Sequence, residues 1–557
     1  MRYCKRKNKR EVLFLKILIL GGVAAGTKIA AKLKREQRDA EVLILTKGKD
    51  ISYAGCGLPY YIGDVIKNRS ELLVNTPESF MALTGAEVRT GVEVTALDRA
   101  GKKVTAVDIA SGTESVYDYD KLVIAVGAHP WAPPVEGLGL KNVFFVRTPD
   151  DAEGLKTLID AGEVRRVVVV GGGLIGLEVA ENLALRDVKV SVIDFAPHML
   201  SELLDPEISE YVENAMANEG VMPFTGVSLE GLSGEDKVEK VLTSRRPMKA
   251  DAVVLAMGFR PNTDFLADSG LEMFKGTILV DQYMKTNDPD IYAAGDCALV
   301  TNRTTGERQW SAMGSTANIT GRLAAGEMAG KQLTPYPGVL GTGVAKLSGV
   351  NMGRTGLTEA AARKSGYDVE TVITVAEDKA HYFPGSDMFL TKMICDRQTH
   401  RLLGLQVLGK GAVDKMTDIA VTAISMGATL EDLQYCDFAY TPPFSTAIHP
   451  FALTVNVLLN KLSGEFETFT PVQYAAGEAE GYRVVDCSIQ PSLPDTPYID
   501  LNTLDGPVDG LGKDEKLLLV CSKGKRAYLV QNRLKFFGYT DTRVLEGGAL
   551  FSTEFGK

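Results

Sequence analysis

Twice in this chain a short apolar run feeds a tight glycine turn that opens onto a helical pattern. Lys16-Ile17-Leu18-Ile19-Leu20 enters Gly21-Gly22-Val23-Ala24-Ala25-Gly26, and Arg166-Val167-Val168-Val169-Val170 enters Gly171-Gly172-Gly173-Leu174-Ile175-Gly176. Such runs suit strands buried on both faces. A glycine turn between strand and helix aims backbone amides, at the positive end of the helix dipole, at a pyrophosphate. A second strand pattern follows each turn, Val42–Leu45 and Val190–Ile193. Two such units predict an α/β chain with two dinucleotide sites.

The second turn is the full Gly-x-Gly-x-x-Gly, with Gly171, Gly173 and Gly176, and its next strand ends in Asp194. An acid there accepts from both ribose hydroxyls and repels a 2′-phosphate. No arginine lies between Phe195 and Leu200, so NADH is expected over NADPH. The first turn has Val23 at its middle position, and Thr46 stands where the acid would be. Three later strand patterns end in glycine, at Gly127, Gly258 and Gly295. Asp296, following Gly295, is placed to hold a ribityl or ribose hydroxyl. A helix predicted from about Ser315 to Ala329, with Ala317 in its first turn, points its N-terminus toward the same ligand.

Ser52-Tyr53-Ala54-Gly55-Cys56-Gly57-Leu58-Pro59-Tyr60-Tyr61 holds a solitary cysteine. Pro59 suits the first turn of a helix, and a thiol before a helix N-terminus is expected to have a depressed pKa. Position 61 is Tyr, so a redox partner for Cys56 must come from outside the chain; the plain alternative is a small residue in a turn. Cys521-Ser522-Lys523-Gly524-Lys525-Arg526 offers a second thiol, between a predicted strand and helix and among three cations. Its pKa too is expected to be lowered, and its amides suit an anion. Two proline-stiffened loops present Tyr382 and Tyr440.

The 557 residues suit three to four domains. A net charge of −10 argues against a general nucleic-acid or anionic-membrane binder. None of the seven cysteines makes a CxxC pair, which removes a zinc ribbon or disulfide framework and fits a reducing compartment, the cytoplasm. The histidines show no metal spacing and read as structural. Arg2, Lys5, Arg6, Lys7, Lys9 and Arg10 form a basic leader over 1–11, and no apolar run reaches the ~18 residues of a membrane span. The expected organisation is a first nucleotide domain at 12–130 and 260–335 and a second at 131–259. A mixed α+β domain at 336–463, a linker at 464–480 and a small α/β unit at 481–557 follow.

Over residues 16–465 these motifs, with Tyr440-Thr441-Pro442-Pro443-Phe444, resemble the single-cysteine branch of the pyridine nucleotide–disulfide oxidoreductases. That branch includes CoA-disulfide reductases, persulfide and polysulfide reductases, and NADH oxidases. The resemblance implies a glutathione-reductase-like fold with two Rossmann-like domains and a dimerisation domain, hence a homodimer. FAD would sit on the first unit (Gly21, Gly22, Val23, Ala24, Ala25, Gly26, Thr46, Gly127, Gly295, Asp296, Ala317) and NADH on the second (Gly171, Gly173, Gly176, Asp194, Gly258). It places CoA contacts at Lys28, Lys32, Arg35 and Ser52. Gly55 stands where some CoA-disulfide reductases have asparagine. Tyr382 and Tyr440 would reach the partner subunit's site. The tail resembles a rhodanese domain through Cys521-x-x-Gly524-x-Arg526, with Asp486-Cys487-Ser488 in place of the usual Asp-Val-Arg and no His-Ile-Pro-Gly-Ala segment.

The expected reaction passes electrons from NADH through flavin and Cys56 to CoA disulfide, CoA persulfide or polysulfide, with Cys521 carrying sulfane sulfur. Two rivals stand beside it: an NADH oxidase cycling Cys56 through sulfenic acid, and a non-enzymatic flavoprotein sensor or sulfur-trafficking scaffold.

Overall fold

The computed structural model describes residues 15–550; the expected basic leader lies outside the described residues. The chain divides into two compact units. One comprises Met1–Pro133, Phe145–Thr157 and Met257–Val339; the other comprises Pro134–Phe144, Leu158–Ala256 and Leu340–Lys557.

In the first unit a five-stranded parallel sheet runs in the order Ile291–Ala293, Lys121–Ile124, Lys16–Leu20, Glu41–Thr46, Glu87–Thr90. The Lys16–Leu20 strand is central, and its Ile17, Leu18, Ile19 and Leu20 are buried, as an unbroken apolar run requires. The helix Ala24–Glu36 turns Ile29, Ala30 and Leu33 into this core, each large aliphatic contributing about 1.5–3 kcal/mol. It packs on the helix Gly314–Met328. Gly321 permits the close approach: a Cβ there would lie 3.1 Å from the Ala25 carbonyl oxygen. A three-stranded antiparallel sheet over Val92–Asp118 and a four-stranded sheet over Met273–Trp310 complete the unit.

The second unit repeats the parallel plan, in the order Met222–Phe224, Lys189–Ile193, Arg166–Val170, Ala252–Leu255, Val143–Phe144. An antiparallel five-stranded sheet follows, containing the expected strands as Met388–Asp396 and Leu402–Gly409. The helices predicted near 412–427 and 448–462 are Val413–Met426 and Pro450–Leu462. Leu402–Gly409 is buried at every position, because elements cover both faces of the sheet. Lys392 lies inside, 2.5 Å from Glu207, 2.8 Å from Glu359 and 3.1 Å from Asp205. Burial raises the pKa of Glu207 despite Lys392. Glu359 is less buried, so Lys392 outweighs desolvation there and lowers it.

The chain then forms a four-stranded parallel sheet, in the order Thr468–Phe469, Thr542–Leu545, Leu517–Val520, Arg483–Asp486. Its apolar residues share one core with the antiparallel sheet and its helices. Residues 464–480 are therefore not an irregular linker. They supply the edge strand Thr468–Phe469 and the helix Pro471–Ala475, which a Thr470–Gln473 capping box starts. No helix among the described residues is long and apolar enough to cross a membrane.

Candidate active site

The first glycine turn is set by two close approaches. At Gly21 (φ +105°) a Cβ would lie 2.1 Å from the Ala125 carbonyl oxygen, and at Gly26 it would lie 1.9 Å from that of Gly21. Between them Val23 is the helix N-cap, with no side chain bonded to the first amides. Thr46 is buried at its strand end, its Cβ 3.2 Å from where one on Gly22 would be. Gly295 (φ +78°) wedges between Ala25 and Ala317, 3.2 and 3.6 Å from its Cβ position. The structure thus gathers Gly21–Gly26, Gly295-Asp296 and Ala317 in one place.

Arg147 joins this cluster. Its Nη2 donates to Asp296 Oδ2 at 3.1 Å, its guanidinium lies over the Phe259 ring at 5.3 Å, and Nη2 is 3.5 Å from the Cβ position at Gly127. The sequence held no signal for it: Arg147 falls outside every motif and periodic run. Nearby Tyr53 has its pKa raised by burial, against the pull of Arg147.

The second glycine turn has the same construction. Gly171 takes φ +113°, and a Cβ on Gly176 would lie 2.0 Å from the Gly171 carbonyl oxygen. Gly173 is the N-cap of the helix Leu174–Ala184, lacks a side-chain cap and faces open space. Asp194 is fixed beside the turn: Oδ2 accepts from the Gly172 amide at 2.6 Å and Oδ1 from Ala196 at 2.8 Å. Gly258 (φ +101°) also has open space at its Cβ position.

Cys56 is exposed, in the 3-10 turn Gly55–Gly57. The helix after it, Leu58–Ile62, has only five residues. The helix N-terminus expected after the thiol is present, but it offers the amides of little more than a single turn. The Ser52 amide donates to the Gly22 carbonyl at 3.0 Å and the Val74 amide to the Ser52 carbonyl at 3.1 Å, which ties the thiol loop to the first glycine turn. Ser52 itself is in the left-handed region, φ +48°. A side chain at Gly55 would meet nothing within 4 Å.

Ser52 also lines a cavity of about 870 Å³, with Lys28, Lys34, Arg35, Arg38 and Asn75. Lys32 does not line it and is paired with Glu36 instead. At about 100° per residue, Lys28, Ala31 and Arg35 share one helix face, while Lys32 and Glu36 turn toward the next. Lys34 is held by the carbonyls of Arg38 and Ala40 at 2.7 and 2.9 Å. Arg38, one turn beyond Arg35, was within reach of the same sequence spacing.

In the second unit Tyr382 and Tyr440 are both exposed, and the hydrogen bond the Tyr382 hydroxyl makes to Tyr440 raises the Tyr382 pKa. Cys521 is buried at a strand end, its Sγ accepting from the Ala527 amide at 3.5 Å. Two of the cations expected to attend it are turned elsewhere. Arg526 donates to the Cys487 carbonyl and to Asp500, both at 3.2 Å, and Lys523 reaches Met388 Sδ at 3.5 Å and Glu377 at 3.9 Å. The loop's backbone is tightly wrapped: a Cβ on Gly548 would lie 2.7 Å from the Lys523 and Gly524 amides. Two of the described histidines bond to side chains within the fold, His129 to Asn262 and His400 to Glu431. No metal-binding cluster occurs among the described residues.

The family model described as pyridine nucleotide-disulphide oxidoreductase matches residues 15–317, and the model for that family's dimerisation domain matches 344–452. The chain belongs to this family. An NADH oxidase of Methanocaldococcus jannaschii is 34% identical over 451 residues, covering 81% of this chain and all of the relative. An NAD(P)H coenzyme A polysulfide/persulfide reductase of Pyrococcus horikoshii is 34% identical over 444 residues, covering 80% and 98%. The solved structure of an NAD-dependent persulfide reductase from A. fulgidus superposes with TM-score 0.92 at 32% identity, covering 96% of this chain and 100% of that one.

As a member of the pyridine nucleotide-disulphide oxidoreductases, the chain is an enzyme that uses FAD and a nicotinamide dinucleotide. Both glycine turns fit such groups. Each carries at least one glycine whose Cβ would collide with backbone, and each leaves a helix N-terminus without a side-chain cap.

Proposed function

We propose that this oxidoreductase takes electrons from NADH and delivers them, through FAD and the Cys56 thiol, to CoA disulfide, CoA persulfide or polysulfide. The observation that carries the reading is an exposed thiol whose loop, through Ser52, borders a cation-lined cavity and is hydrogen-bonded to the first glycine turn.

Bound FAD and NADH supply the two-electron reduction. Gly21, Gly22, Val23, Ala24, Ala25 and Gly26, with Thr46, Gly127, Gly295, Asp296 and Ala317, hold the flavin nucleotide, and Arg147 orients Asp296. Gly171, Gly173, Gly176, Gly258 and Asp194 hold NADH, and the Asp194 carboxylate disfavours a 2′-phosphate. Lys28, Arg35 and Arg38 bind CoA phosphates by charge-assisted hydrogen bonds. Open space beside Gly55 leaves room for more than one acyl-free sulfur compound. The Cys56 thiolate attacks the acceptor's sulfur, a Cys56–sulfur bond forms, and a thiolate leaves. Tyr440, paired with Tyr382, donates the proton to that leaving group. Both tyrosines act across a homodimer in this reading.

The C-terminal sheet is, in this reading, a rhodanese-like unit in which Cys521 carries sulfane sulfur and Arg526 shapes its loop. The cytoplasm, a reducing compartment, keeps such thiols active.

Anaerobic stopped-flow with NADH and CoA disulfide, CoA persulfide or polysulfide tests the proposal. Cys56→Ser is expected to lose at least 100-fold in acceptor-dependent turnover while keeping the flavin spectrum. Equal rates in both proteins would overturn it. Fast NADH consumption in air, without sulfur acceptor, would transfer the reading to an oxidase. Negligible anaerobic turnover with any acceptor would leave a sensor or scaffold.

A further inference from the structure

The usual apolar residue of the rhodanese-type opening is replaced in this chain by Cys487, and the sheet brings it to Cys521. The strands Arg483–Asp486 and Leu517–Val520 pair in parallel with Arg483 opposite Leu517 and Asp486 opposite Val520. The next step in that register sets Cys487 opposite Cys521. The hydrogen-bond ladder continues there: the Arg483 amide donates to Lys516, the residue before its partner, at 2.8 Å, and the Cys487 amide donates to Val520, the residue before Cys521, at 2.7 Å.

Both side chains face the same side of the sheet. Val485, Cys487, Leu517, Leu519 and Cys521 enter one core, while Leu518 and Val520 enter another. Neighbouring strands lie about 4.8 Å apart, inside the roughly 4.4–6.8 Å Cα separation a disulfide spans. The two thiols also sense each other: burial, then Cys521, then Asp486 raise the pKa of Cys487.

We propose that Cys487 and Cys521 form a reversible dithiol–disulfide pair, a second thiol–disulfide exchange site that takes low-molecular-weight disulfides. The Cys521 thiolate attacks a disulfide RS–SR, forming Cys521–S–SR and releasing RS⁻, which takes the Cys521 proton. The Cys487 sulfur then attacks Cys521 Sγ. The Cys487–Cys521 bond forms, the bond from Cys521 to SR breaks, and the Cys487 proton leaves with the second thiol. Two cysteine thiols are oxidised and one disulfide is reduced to two thiols. Cys487 is fully buried and Cys521 is 3% exposed, so Cys521 meets the substrate and Cys487 resolves the mixed disulfide. The pair stands whether or not Cys521 also carries sulfane sulfur.

The test uses the full chain carrying Cys56→Ser, so that chemistry at position 56 cannot contribute and its failure stays separate. The protein is treated anaerobically with CoA disulfide, denatured in an alkylating reagent, digested without reductant and read by mass spectrometry. A 487–521 cross-linked peptide in most chains is expected. With Cys487→Val added, CoA should instead remain on Cys521 and no cross-link form. A stable CoA adduct on Cys521 with Cys487 alkylated in the chain that retains Cys487 would overturn the proposal. So would both cysteines staying reduced while the exposed Cys436 reacts.

Discussion

Lys461 Nζ lies 2.6 Å from Glu546 Oε1, joining the helix Pro450–Leu462 to the end of the C-terminal strand Thr542–Leu545. The same carboxylate accepts from the Ile373 amide at 2.8 Å and Thr468 Oγ1 at 2.6 Å, and Lys461 also reaches the Thr371 carbonyl at 2.9 Å. Burial pulls the Lys461 pKa down, but Glu546 and Glu370 outweigh it and raise it. One buried ion pair therefore fastens the C-terminal sheet to the antiparallel sheet.

Glu546→Gln keeps hydrogen-bonding atoms but leaves the buried ammonium one carboxylate short. The expected loss is about 3–5 kcal/mol, read as faster amide exchange in peptides spanning 517–545. Because the folded Lys461 pKa is raised, the pair stabilises below the ordinary lysine pKa and fades as pH rises through the folded value. The difference between variant and parent should narrow in strong alkali.

Lys28 and Arg35 line the cavity and Lys32 does not. Lys28→Ala and Arg35→Ala should each raise KM for CoA disulfide about tenfold, with kcat little changed, as loss of one charge-assisted bond implies. Lys32→Ala should move KM less than about twofold, since it loses only a helix-surface pair. A tenfold effect at Lys32 would put the CoA face of this helix elsewhere.

Gly173 and Gly176 separate binding from folding. Gly176→Ala drives a Cβ into backbone at 2.0 Å, so low soluble yield or a Tm drop of several degrees is expected. Gly173→Ala meets open space and should fold normally, yet raise KM for NADH at least tenfold by filling the dinucleotide's approach. Differential scanning fluorimetry beside NADH titration distinguishes the two.

His449 caps the helix Pro450–Leu462, its Nδ1 accepting from the Phe451 amide at 3.2 Å. Burial first, then Lys415, lowers its pKa to about 4. The unfolded chain, with histidine near 6.5, binds the proton first as pH falls. Stability should decline from pH 6.5 to 4 and be flat above. His449→Asn, which can still cap, should remove that slope in urea midpoints.

The two glycine turns were legible because their spacing is a backbone requirement: Gly21, Gly26 and Gly176 each sit where a Cβ would meet a carbonyl, and Gly171 takes φ +113°. The helix Ala24–Glu36 was equally legible, but which of its lysines line the cavity was not: Lys28 does and Lys32 does not. Arg147 could not be read, since its partners Asp296 and Phe259 are remote in sequence. The cations near Cys521 were visible in sequence, but their true partners, Asp500 and Glu377, were not. The strand Thr468–Phe469 was missed because two residues carry no period.

That edge strand sets where the C-terminal unit can be cut. A gene fragment starting at 481 would leave Thr542–Leu545 with an open hydrogen-bonding edge, an invitation to intermolecular pairing. It would also discard Thr468 and Lys461, which hold Glu546. A portable module must begin upstream of the helix Pro450–Leu462, inside what looks like the preceding domain. The two parts have a shared seam, and recombination that respects domain labels alone would tear it.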